Sequence, residues 1–167
     1  MTRIEQVPES FRACATNVIR ERIQRLLTFI RRVRRGNDAE AVHDMRVASR
    51  RLRAALSVFA EAFDDPAYAR LTKEIRKVTS ALSRARDLDV MVANLEKEAT
   101  RLPATQRALL ADLIRELTEE RREAQRDVVA VLDQLNDFDP LGVFDQVVAS
   151  VTSPVAEPQA GGQTDES

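Results

Sequence analysis

Cysteine and histidine occur once each in this 167-residue chain, and tryptophan not at all. The lone Cys14 excludes an internal disulfide and fits a reducing compartment. Its place on the apolar side of a helical pattern reads as that of a small buried hydrophobe. One histidine and one cysteine on different helices cannot supply a nucleophile, a base and an orienting group, so no catalytic residue is expected. His43 beside Asp44 lacks a third nearby ligand and stands among arginines that repel a cation. Neither a metal nor another cofactor is therefore expected. No apolar run approaches the ~20 residues of a membrane span, and no signal-peptide core is visible at the N-terminus. A soluble, cytoplasmic protein without membrane attachment is the expectation. Strand patterns and short-period repeats are missing too.

What remains is rich in helix formers, and the composition points to an all-α protein. The length suits one domain with a real core. A formal net charge of −1 hides a strong asymmetry. Residues 1–86 hold 19 Lys+Arg against 10 Asp+Glu, or +9, and residues 87–167 hold 7 against 17, or −10. Arginine outnumbers lysine 23 to 3, and arginine is the side chain best suited to bidentate phosphate contact.

Four long helical patterns follow one another. The first runs from about Ser10, a plausible N-cap, to Arg35, with Phe11, Ala15, Val18, Ile19, Leu26, Phe29, Ile30 and Val33 at three-four spacing. Gly36-Asn37-Asp38 stops it and starts the second, about Asp38 to Phe63. The third covers about Pro66 to Thr100. Pro103 separates it from the fourth, about Ala104 to Asn136, whose apolar stripe is Leu110, Leu113, Ile114, Leu117, Ala124, Val128, Val131 and Leu135. Short connections force antiparallel neighbours, hence an antiparallel four-helix bundle of long helices. A short fifth helix is expected at Leu141–Val151, giving a bundle over 1–151. Residues 152–167 have the composition of a disordered acidic tail.

The second helix carries the sharpest signal, VHDMRVASRRLRAALSVF at Val42–Phe59. At about 100° per residue, His43, Arg46, Arg50 and Arg53 share one narrow face, opposite Met45, Leu52, Leu56, Phe59 and Phe63. An almost purely cationic polar face suits a rigid anionic ligand with many oxygens. On the third helix Arg70, Lys73, Lys77 and Arg84 lie within about 60° of each other by the same rule. Two such rows on neighbouring helices would form a groove that repels itself when empty. A solvated charged face is the blander reading. Arg22 and Arg121 interrupt apolar stripes on the first and fourth helices. Each either pairs with an acid such as Glu21 or Glu74, or faces a wet, charged bundle centre.

This helix, followed by LSRARDLDVMVANLEKEA at Leu82–Ala99, closely resembles the CHAD domain, the conserved-histidine α-helical domain. The likeness covers about residues 10–136. It implies a helical bundle that binds inorganic polyphosphate through a basic channel, often beside a CYTH-type triphosphatase. By the resemblance His43, Arg46, Arg50, Arg51 and Arg53 take the places of the family's basic helix. Arg86, Asp87 and Asp89 take those of its Arg-Asp-x-Asp motif. The chain departs from the pattern at Leu82-Ser83, where Leu-Gly is usual, and it shows no CYTH-like segment. A full CHAD domain resembles two four-helix halves, and this chain reads as one.

The leading expectation is thus a non-enzymatic polyphosphate-binding module, with polyphosphate granules as one place to find it. Its candidate contacts are His43, Arg46, Arg50, Arg51, Arg53, Arg70, Lys73, Lys77, Arg84, Arg22 and Arg121. Protonated His43 would add a donor. A structural bundle docking an acidic protein or a neighbouring triphosphatase is the alternative. Nucleic acid is a poorer fit, nonspecific at most, because no aromatics interleave the basic rows for base stacking. A homodimer is also expected, with Leu141, Val143, Phe144, Val147 and Val148 as its docking surface, unless that segment caps its own bundle.

Overall fold

The computed structural model describes residues 7–36 and 38–152. Among them every regular element is helical: α1 (Glu9–Leu27), α2 (Ile30–Arg34), α3 (Ala39–Val58), a 3-10 turn (Ala60–Ala62), α4 (Pro66–Ala99), α5 (Ala104–Phe138) and α6 (Pro140–Thr152). The expected acidic tail beyond Thr152 lies outside the described residues.

Local chemistry explains most of the boundaries. Asp38 caps α3 by accepting the Ala41 N–H at 2.8 Å. Asp65 caps α4 through the Ala67 N–H at 2.6 Å, with Pro66 in the first turn, where its missing N–H costs nothing. Gly36 closes α2 at φ +73°, a left-handed geometry that suits glycine. Two expectations need correction here. Pro8, not Ser10, is the N-cap of α1, and its carbonyl accepts the Arg12 N–H at 3.1 Å. The first pattern also breaks in two. The Thr28 hydroxyl donates to the Arg25 carbonyl at 2.8 Å, and the Phe29 N–H reaches back only three residues to Leu26.

The core is built from α1, α3, α4 and the C-terminal half of α5. Ile19, Ile23, Leu26, Met45, Leu52, Leu71, Ile75, Leu82, Val128 and Leu132 are all buried there. α6 folds back against α4 and α1. Asp139 makes the reversal with a left-handed φ of 49°, and Gly142 leaves open the space its carboxylate occupies. Phe144 and Val147 are then fully buried, and Phe144 meets the edge of Phe63 at 5.5 Å between ring centroids. Asp145 accepts from Arg20 on α1 at 2.7 Å. The apolar segment therefore caps its own bundle. It is not the docking surface that a second copy was expected to use.

The bundle is uneven in length. α4 and α5 have 34 and 35 residues, α1 and α3 only 19 and 20. The distal halves of α4 and α5 therefore run past their neighbours and pack chiefly on each other. Leu113 is 43% exposed, and Leu110, Ile114 and Leu117 are only half-buried, so the expected apolar stripe of α5 enters the core only from Ala124 onward. Cys14 is exposed, not buried: α1 turns Ala15 and Ile19 inward instead.

The α3 cap gives a pH test. The Ala41 N–H and then the Arg32 guanidinium hold the Asp38 carboxyl below its ordinary value of 3.8. A depressed folded-state value means the contribution is complete above about pH 4 and is lost as pH falls through it. Asp38→Asn keeps a capping oxygen but cannot ionise. Acid unfolding followed by circular dichroism below pH 4 is expected to be shallower in that variant than in the parent; identical profiles would deny Asp38 the role.

Candidate anion-binding site

α3 crosses the middle of one face of the bundle, with α1 on one flank and α4 on the other. Its outward row is His43, Val47, Arg50 and Ala54, each about one turn from the next. Two open cavities lie beside it. The first, about 570 Å³, sits between α1 and α3 and is lined by Arg22, Arg25, His43 and Arg51, with Glu21 and Asp44 at its walls. The second, about 680 Å³, sits between α3 and α4 and is lined by Arg50, Arg53 and Arg76, over a floor that includes Tyr68 and Thr72. Burial holds the Tyr68 phenol well above its usual range, and the hydroxyl donates to the Leu56 carbonyl at 2.7 Å. Tyr68 is thus a fixed, neutral wall.

The ion pairs divide the arginines into two sets. Arg20 pairs with Asp145, Arg32 with Asp38, Arg34 with Asp133, and Arg122 and Arg126 with Glu119. Arg22, Arg25, Arg50, Arg51, Arg53, Arg70, Lys73 and Arg76 have no ion-pair partner among the described residues. These unpaired cations come from α1, α3 and α4. Arg22 is the extreme case: its Nε is buried and has no hydrogen-bond partner. Arg25 lies over the Phe29 ring at 5.0 Å from the centroid, which orients its guanidinium.

The placement differs in part from two facing rows. Arg46, half-buried, donates to Ser83 on α4 at 3.3 Å and so bridges the two helices. Arg84 points at α5, reaching Asp127 at 3.0 Å and Glu120 at 3.4 Å. Lys77 pairs with Glu74 at 2.8 Å, one turn earlier on the same helix. Arg70 and Lys73 are exposed but line neither cavity. Arg121 is not brought to the site: it pairs with Asp89, whose side chain is 8% exposed. That is the acid partner, on α4, that its place in an apolar stripe demands. Arg86 and Asp87 line neither cavity.

Two residues at the site escaped the sequence reading. Arg76 is the α4 cation that faces Arg50 and Arg53, although it lies roughly 90° round the helix from the centre of the Arg70–Arg84 row. The Arg46–Ser83 contact shows why. It fixes the antiparallel register: two turns on along α3 and two turns back along α4 bring Arg53 level with Arg76, with Arg50 one turn before Arg53. Arg25 sits one turn after Arg22, a spacing visible in the sequence, but nothing there says that α1 flanks α3 at that level.

No group of three or more His, Cys, Asp and Glu side chains stands ready to hold a metal ion among the described residues. None of their helices is long and apolar enough to cross a membrane. The chain's match to the CHAD domain family runs over residues 17–163, nearly its whole length. The chain belongs to the CHAD family. Its basic helix α3 carries the histidine and arginines of the resemblance, and its Arg-Asp-x-Asp motif supplies the Asp89 that anchors α5. No curated protein and no solved structure matches the chain.

Proposed function

We propose that this CHAD-family chain is a non-enzymatic module that binds inorganic polyphosphate on the face formed by α1, α3 and α4. CHAD domains are associated with polyphosphate-related proteins. The single observation that supports the reading here is the gathering of unpaired arginines on one face. Polyphosphate carries about one negative charge per unit and offers no apolar surface, so its affinity has to come from charge-assisted contacts. Each contributes about 1.5–3 kcal/mol before ordering costs. Guanidinium groups suit this ligand because their planar fork meets two phosphate oxygens at once.

Titration with long-chain polyphosphate is expected to show binding that weakens steeply with salt, because counterions are released from a dense polyanion. RNA and DNA should compete poorly, since few aromatic side chains are present to stack bases. Absence of any heat or gel shift at low salt would overturn the proposal. A purely structural bundle docking an acidic protein would bind the acidic partner and leave polyphosphate in solution.

The proposal keeps a cytoplasmic location, near polyphosphate granules, and an assembly of two copies. α6 is used internally, so a dimer must rest on another surface. Light scattering at tens of micromolar should give about twice the 18.8 kDa of the chain. A mass of one chain, with and without polyphosphate, would refute the dimer.

A further inference from the structure

We infer that the polyphosphate face is divided into two separate phosphate-binding subsites, one on each flank of α3, and that a long chain binds by crossing the helix between them. This rests on the polyphosphate reading and says how the ligand lies. The two cavities are distinct in place and lining. The α1–α3 cavity has Arg22, Arg25, His43 and Arg51, and the α3–α4 cavity has Arg50, Arg53 and Arg76. They share no lining residue.

Helical geometry supports this division. Arg50 and Arg51 are consecutive, so their side chains leave α3 about 100° apart, one toward each flank. Adjacent arginines cannot grip the same phosphate from one side, but they can hold two stretches of one polymer. Along the outward row of α3, His43 and Val47 line the first cavity and Arg50 and Ala54 the second, so the two linings adjoin on this helix and one polymer can pass from one to the other. The cavities are also staggered along α3. His43 to Arg51 line the first, and Arg50 to Ala60 the second, so the path runs obliquely across the helix.

The two subsites differ in character. In the α1–α3 cavity Arg22 offers a buried donor with no partner of its own, and Glu21 and Asp44 lie beside the cations. In the α3–α4 cavity no acid joins the lining, and alanines and Tyr68 form much of the wall. The first is therefore the more selective for ligand geometry, the second the more purely attractive.

Two joined weak sites act as one strong site when a single ligand spans both, because the second contact becomes intramolecular. On this reading each tripolyphosphate occupies one subsite, so calorimetry should find two of them per chain, each weak. Long-chain polyphosphate should bind at least tenfold more tightly than either. Arg25→Ala with Arg51→Ala should remove one tripolyphosphate site and spare the other, and Arg53→Ala with Arg76→Ala should do the reverse. Either pair should bring long-chain affinity down toward that of the remaining subsite, with helical circular dichroism unchanged. Arg→Lys versions of the same pairs keep the charge and should retain both sites if an alanine variant fails to fold. A single tripolyphosphate site, weakened by both pairs alike, would overturn the division while leaving polyphosphate binding intact. No binding of either ligand would overturn the function together with this inference.

Discussion

Arg50→Glu combined with Arg53→Glu is expected to lower affinity for long-chain polyphosphate at least a hundredfold, about 2.8 kcal/mol. Both side chains are exposed, both line the α3–α4 cavity, and neither has an ion-pair partner among the described residues. Removing them therefore breaks no internal bond, and reversing them places two like charges against the polyanion. The same reasoning singles out Arg84 as the control. Its guanidinium is already committed to Asp127 and Glu120, so Arg84→Ala should change polyphosphate affinity less than twofold. Exposed pairs of that kind contribute only about 0–1 kcal/mol to stability, so this variant should still fold. Titration of both variants beside the parent, at one fixed salt concentration, checks the contrast. Equal losses would mean that net charge, and not the face around α3, governs binding.

Phe144→Ala is expected to destabilise the bundle by about 3–5 kcal/mol. The ring is fully buried, meets the Phe63 ring edge-on, and belongs to the same cluster in which Phe63 stacks on Tyr68 at 5.1 Å. Truncation leaves a cavity at the junction of α6, α4 and α1 that small neighbours cannot fill. Tyr68 also forms part of the wall of the α3–α4 cavity, so the damage should reach the binding face. Denaturant unfolding followed by circular dichroism measures the loss. A change under 1 kcal/mol would mean that α6 does not depend on this docking. It would also reopen α6 as a surface for a second copy.

Much of this was legible in the linear chain because helices announce themselves locally. Asp38 and Asp65 cap where their side chains reach the first N–H groups, and Pro66 and Pro103 stand where a helix can begin. The cationic row of α3 is likewise local, since residues one turn apart share a face whatever surrounds them. Thr28 shows the limit. It is an ordinary residue inside a continuous pattern, yet the next N–H, that of Phe29, reaches back only three residues to Leu26 and the helix breaks there.

The sequence by itself determined an all-helical chain, its helix boundaries to within a residue or two at most ends, and the basic character of α3. It also named the family, through motifs that need no partner helix to be recognised. Tertiary structure decided which cations remain available. Arg121 and Arg84 face acids on a neighbouring helix, whereas Arg76 faces Arg50 and Arg53. The same packing turned Phe144 inward and left Leu113 outside. The physical reason is common to all of them. A helix's own periodicity specifies the angle at which each side chain leaves the axis. What it meets there depends on the neighbour's register and length.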